Sequence, residues 1–185
     1  KAVFPETLRE TIAPYLAQGK ADLVNLGFRV MMNLTADFSG VDRPTRTPEE
    51  TDRLLRHLLT FGKAATLGQA LGDKEAIRNE IRQAMAEFDS EFFQPSMKRR
   101  RDLLAKFDKG EIKEEDLPRD ILVELLRNES EVQLTQDVLM KEIGFFLLAG
   151  AFTSIHTLSH AMHELFWWGE QHPADKQRQR TDMLF

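Results

Sequence analysis

The sequence predicts an all-α protein, and three observations carry that prediction. Apolar residues recur at helical spacing in segment after segment. No stretch alternates apolar and polar residues for long enough to make a strand. Residues 136–172 run without a proline, so nothing forces a break over roughly ten helical turns. The centre of that run, residues 143–155 (IGFFLLAGAFTSI), is uncharged and apolar on every face. Such a helix is predicted to lie in the middle of the molecule, wrapped by other helices. As a membrane span this uncharged stretch is too short, because crossing the hydrocarbon takes about 20 residues.

Each element has its own local reason. Residues 5–16 place Leu8, Ile12 and Tyr15/Leu16 on one face, with Pro14 tightening the end; Gly19 then breaks the chain. Residues 22–38 turn Leu23, Leu26, Val30, Met31 and Leu34 inward, and Ser39-Gly40 stops them. A loop over 41–46 leads to Thr47-Pro48-Glu49-Glu50, which combines a capping Thr, a Pro at the first helical position and a Glu three residues after the cap. The helix it opens carries Leu54, Leu55, Leu58, Leu59 and Phe61, and frays over 68–72. Asp73 caps a helix with Ile77, Ile81, Met85, Phe88 and Phe92 on one side, which Pro95 kinks or interrupts before 97–107. Residues 110–118 form a charged connector, 119–127 a short buried helix and 128–134 a polar loop. Thr135 caps the central helix, and Pro173 begins a final polar one.

With 185 residues, 42% hydrophobic and 30% charged, the chain fits one helical domain over residues 1–185 with a sizeable core. A formal charge of −5 speaks against a dedicated nucleic-acid binder, so no nucleic-acid partner is expected. The absence of Cys excludes disulfides, thiolate metal sites and a thiol nucleophile within this sequence. Beginning on Lys1 and stopping at Phe185 straight after a helical-looking stretch, the sequence reads as a segment of a longer chain.

Inside the central apolar run, Gly150, Thr153 and Ser154 need a reason. Gly150 removes a Cβ and Ala149 is small, so a flat ligand can approach the backbone closely. Thr153 can turn its hydroxyl onto the carbonyl of Ala149, four residues back, loosening one helical bond and widening the turn into a small polar groove. The plainer reading of Gly-x-x-Thr-Ser is a close helix crossing.

The run Asp120-Ile121-Leu122-x-x-Leu125-Leu126, then Leu134-Thr135-x-Asp137, Glu142-Ile143 and Leu147-Leu148-Ala149-Gly150-Ala151-Phe152-Thr153-Ser154, closing on His172-Pro173, resembles the cytochrome P-450 monooxygenases. It looks like their H helix, H–I loop, oxygen-binding I helix and start of J. Upstream segments agree in order and length with helices E, F and G. The resemblance implies a helical bundle around one long central helix, lacking the E-x-x-R helix and the cysteine loop. It implies haem b, with the thiolate ligand absent from this sequence, and oxygen insertion into a hydrophobic organic substrate. Electrons would come from NAD(P)H through a ferredoxin or flavoprotein partner.

The resemblance also implies roles for particular residues. In the family the groove lies over the haem iron and receives dioxygen, and the threonine hydroxyl helps to deliver protons. Here that threonine is Thr153, with Ala149, Gly150, Thr153 and Ser154 lining the cofactor and Phe145, Leu148 and Phe152 facing substrate. Phe152 stands where the family has an acid, so His156 or ordered water would take over proton delivery, unless peroxide is used or oxygen activation is weak. Compact spacing is similar to the soluble, cytoplasmic bacterial members, with a membrane anchor upstream of Lys1 left open. Missing haem and missing helices would leave apolar faces bare and favour association.

Two other features have plain readings. Lys98-Arg99-Arg100-Arg101, flanked by Asp102 and Lys106, reads as a solvated helix face rather than a phosphate site. His156, His160 and His163 share one helix face beside Glu164; histidines held within a bundle are commoner than a metal site at that spacing, and no metal ligand is assigned. The competing function classes are a non-catalytic helical ligand- or protein-binding module and a histidine-ligated metalloprotein.

Overall fold

The computed structural model describes residues 3–175, and among them the regular structure is helical, with no strand. Helix α1 (Val3–Gln18) runs through Pro14 instead of ending near it. It lies against α2 (Leu23–Ser39), where the Thr7 hydroxyl donates to Asp37 at 2.5 Å and Asn33 Nδ2 donates to Thr11 Oγ1 at 3.0 Å. Asp22 caps α2 by accepting from the Asn25 amide at 2.7 Å. Gly40 ends it at φ +88°, a left-handed turn open to few other residues. A Cβ at Gly40 would lie 2.6 Å from both Asp120 Oδ1 and Leu122 Cβ, so the turn also permits a close approach of distant chain.

Helix α3 (Pro48–Ala65) starts as its capping signal predicts, with Thr47 Oγ1 accepting from the Glu50 amide at 3.3 Å. The buried Glu50 carboxylate reaches past the cap, accepting from the amides of Arg46 at 2.8 Å and Thr45 at 3.4 Å, and so fixes the preceding loop. Beyond α3 a short 3-10 turn (Leu67–Gln69) leads to α4 (Lys74–Phe88), capped by Asp73. Pro95 does not interrupt the chain after α4. A π turn (Asp89–Phe93) joins α4 directly to α5 (Gln94–Asp108), and Pro95 falls in the first turn of α5 immediately after it. Next to it, fully buried Ser96 donates to the Phe92 carbonyl at 2.6 Å and accepts from the Asp42 amide at 2.8 Å.

Lys98, Arg99 and Arg101 of the basic run on α5 lie on an exposed face as the sequence predicts, and Arg100 is the exception. Arg99 pairs with Asp42 at 2.8 Å and Arg101 with Glu129 at 2.9 Å. Arg100 is buried between Asp42 at 2.5 Å and Asp120 at 3.0 Å. Asp120 at the same time caps α6 (Ile121–Arg127), accepting from the Val123 amide at 2.9 Å. Most of the segment predicted as a polar loop after α6 forms a short helix, α7 (Glu129–Val132), which turns back at Gln133 with φ +51°.

Helix α8 (Gln136–Leu147), a second π turn (Leu148–Phe152) and α9 (Thr153–Gln171) form one continuous rod, with Thr135 as its cap. A helical stretch begins at Pro173, and the rest of the final polar helix expected from the sequence lies outside the described residues. Packed by α2, α3 and α6, the rod buries Leu139, Ile143, Leu147, Ala151 and Ile155 on one stripe. These join Met32, Leu54, Leu58, Phe88, Phe92, Phe93 and Leu122 in the core. The expectation of a helix wrapped on all sides is therefore corrected. Phe145 on α8 is exposed, and so are Leu158, Phe166, Trp167 and Trp168, because α9 is packed mainly by α2 and runs on beyond it. By length and composition Gln136–Gln171 as a whole could cross a bilayer, with mean hydropathy 1.6 over its best 18 residues and 28% of them buried. The uncharged stretch 143–155 understates this length because the apolar character continues past Ile155.

The Arg100–Asp120 pair gives a direct test. Asp120→Ala removes the cap of α6 and one of the two counter-charges of a buried guanidinium. Urea denaturation should show a loss of about 3–5 kcal/mol. Arg101→Ala, which breaks an exposed pair, should cost under about 1 kcal/mol.

Candidate functional site

At the second π turn a side-chain hydroxyl competes for one backbone carbonyl. Thr153 Oγ1 donates to the Ala149 carbonyl at 2.5 Å, four residues back, as the sequence predicts. A hydroxyl that takes over a helical acceptor loosens the ladder there, and the turn over Leu148–Phe152 is widened to π geometry. Thr157 repeats the same bond to the Thr153 carbonyl at 3.0 Å one turn later, where the helix stays regular. The hydroxyl alone therefore does not widen a helix. What is particular to the first turn is its small residues, Ala149, Gly150 and Ala151.

Three sides of this turn meet different surroundings. Gly150 faces α2: a Cβ there would lie 2.7 Å from Thr35 Cγ2 and 3.0 Å from Thr35 Oγ1. The missing side chain of Gly150 thus serves a close helix crossing, the plainer of the two readings its sequence context offers. On the second side, α3 passes over Leu148 and Phe152, with the Cβ position of Gly62 3.9 Å from Leu148 Cδ1 and 3.8 Å from Phe152 Cε2. The third side carries half-buried Ala149 and exposed Thr153, and the described residues leave it largely uncovered.

Of the residues predicted to face substrate, Leu148 and Phe152 come together under Gly62. Phe145 is set apart, 60% exposed and in edge contact with Phe146 at 6.1 Å between ring centroids. Phe152 packs edge-on to Phe28 at 6.5 Å and to His156 at 4.6 Å, and Phe28 meets His156 at 6.0 Å. His156 is thus held in an aromatic corner one turn from Thr153, with its ring exposed to solvent. Ser154 is half-buried. His163 lies 3.5 Å from Glu164, and among the described residues no three His, Asp or Glu side chains converge as a metal site would need. An apolar groove of about 540 Å³ lies elsewhere, between Phe38 and α6, and none of these residues lines it.

Sequence reasoning missed Phe28, Thr35, Gly62 and His57. Gly62 carried a signal, a lone glycine inside a helical pattern, which marks close backbone approach. Phe28 and Thr35 carried none, since their importance comes from which helix they meet. His57 looked like one more polar residue on α3, yet it is buried with its ring stacked on Phe61 at 6.3 Å and edge-on to Phe88 and Phe92, each at 5.9 Å. Burial pushes its pKa below the ordinary histidine value. Glu91 and Glu87 oppose that shift, and Arg56 and Arg53 add to it.

No protein-family model, curated protein or solved structure matches this chain.

The back-bond of Thr153 is open to direct test. Thr153→Val keeps the branched shape and returns the Ala149 carbonyl to the backbone. Hydrogen exchange at residues 152–155 should slow, with global stability changed by less than about 1 kcal/mol. Thr153→Ser should behave as the parent protein.

Proposed function

We propose that this chain is the distal helical part of a cytochrome P-450-like haem monooxygenase, acting on a hydrophobic organic substrate. The observation that carries the reading is the widened turn at Leu148–Phe152, with the Thr153 hydroxyl on the Ala149 carbonyl and that side of the helix uncovered. A flat macrocycle against this side of the helix would need a small residue facing it and a polar group within reach of its bound gas. Ala149 and Thr153 supply these, and Phe145 offers apolar surface a turn earlier. The residues fit one wall of a haem site and no more. With no cysteine in the sequence, a thiolate ligand would have to come from other polypeptide.

Haem held by a thiolate supplies the redox chemistry that activates dioxygen. The protein's part at this wall is to hold and pass a proton. Thr153 points its own proton at the Ala149 carbonyl, and its exposed oxygen would accept one from solvent, with His156 the nearest titratable side chain along the helix. Phe152 offers no acid and is packed under α3, so the proton route would run along the exposed side of the helix. Leu148 and Phe152 would present apolar surface to substrate where α3 crosses the turn. Electron supply by a ferredoxin or flavoprotein belongs to the same proposal.

A second reading has its own support. Gly150 against Thr35 is what a plain close crossing would give, which favours a non-catalytic helical binding module.

Titration of the chain with iron protoporphyrin in the presence of a small thiol separates the two readings. The oxygenase reading expects saturable one-to-one binding with quenching of Trp167 and Trp168 and a thiolate-type Soret band. It also expects Ala149→Phe to weaken binding about tenfold or more, since a phenyl ring would occupy the porphyrin's place. Binding that is unsaturable, or indifferent to Ala149→Phe, would sink it. Intact mass spectrometry of the protein from its source should return a polypeptide well above 21.3 kDa that contains cysteine.

A further inference from the structure

We propose that His57 is a proton-sensitive latch on α3, the helix that covers Leu148 and Phe152, and that protonating it loosens this cover. His57 is 7% exposed, and its ring contacts are the phenyl groups of Phe61, Phe88 and Phe92. Those three rings belong to α3, the end of α4 and the π turn Asp89–Phe93, so the imidazole is the wedge where three elements meet. A neutral imidazole suits that place. An imidazolium there gives up hydration with little in return.

The charged groups facing His57 come from the same elements. Arg53 and Arg56 on α3 repel a proton, while Glu87 on α4 and Glu91 in the π turn attract one. Glu91 is already paired with Arg53, which weakens its ability to offset a charge on the ring. Burial therefore decides the direction, and the closed arrangement favours the neutral form.

The wedge is coupled to the candidate site by the next turn of α3. Phe61, stacked on His57, lies 3.6 Å from the Cβ position of Gly144 on α8. Its neighbour Gly62 faces Leu148 and Phe152. Loosening α3 at His57 thus loosens the helix that closes the second side of the π turn. The latch does not depend on haem; it requires only that α3 lies over residues 148–152.

Linkage sets the sign. The open form titrates as ordinary histidine does, whereas the closed form holds its proton less tightly. Closure is therefore fully stable above the ordinary value, weakens as pH falls below it, and stops weakening once the closed form is protonated too.

Hydrogen exchange of the full chain at about pH 7.5 and about pH 5.5, corrected for the intrinsic pH dependence of amide exchange, tests the proposal. Acid should raise exchange several-fold in residues 54–65 and 88–93 and leave the α1–α2 contact unchanged. His57→Phe should remove that acid-dependent difference. Should His57→Phe fail to fold, His57→Gln, uncharged at both pH values, serves the same comparison. A uniform rise across all helices, or the same local rise in the variant, would overturn the latch. So would an imidazole signal for His57 that titrates at or above the ordinary value by NMR.

Discussion

The close crossing of α2 over the long α8–α9 rod is the contact on which the rest of the arrangement depends. It is made at two glycines, one on each partner. A Cβ on Gly27 of α2 would lie 1.8 Å from Ile155 Cδ1, and one on Gly150 of the rod would run into Thr35. Side chains at those positions would force the axes apart and open the core around Met32, Ala36 and Ala151, all fully buried. Helix α1 reaches the molecule through α2, and α9 is packed mainly by α2. Helix α2 therefore links both ends of the described chain, with the Glu10–Arg46 pair adding a second tie for α1.

The same contact decides what the widened turn can face. Because α2 takes the Gly150 side and α3 takes the Leu148 and Phe152 side, only the stripe with Ala149 and Thr153 is left open. A helix that had been wrapped evenly would have buried that stripe as well and left the Thr153 hydroxyl with nothing to serve but its own backbone. Asymmetric packing is thus what leaves this side of the turn open. It also leaves a large aromatic surface at Phe166, Trp167 and Trp168 on the far part of α9.

Much of this was legible in the sequence, for reasons that are local. The caps Thr47, Asp73 and Thr135 each announce a helix whose first turn they bond, whereas the capping roles of Asp22 and Asp120 emerge only in the structure. The Thr153 back-bond could be read because donor and acceptor lie four residues apart on one helix. What escaped was everything decided by a partner distant in the chain. Nothing near Gly150 says that Thr35 will meet it. Nothing near Arg100 says that Asp42 and Asp120 will close round it. Pro95 reads as a break because nothing in the sequence marks the π turn at Asp89–Phe93 that lets the helix run on into it. The periodicity of residues 143–155 gave the right helix and the wrong surroundings, since apolar character on all faces says what could be covered and not what is.

Each of the two π turns also sets a register. A regular helix advances about 100° per residue, so the additional residue held in Leu148–Phe152 rotates all of α9 by roughly that angle relative to α8. Ile155 reaches Gly27 only because of this offset. Losing a single residue from the turn would leave composition and helix content almost unchanged. It would swing Ile155 away from α2 and carry the two tryptophans to another quarter of the surface. The number of residues in this turn is therefore a stricter requirement on the fold than the identity of any one of them.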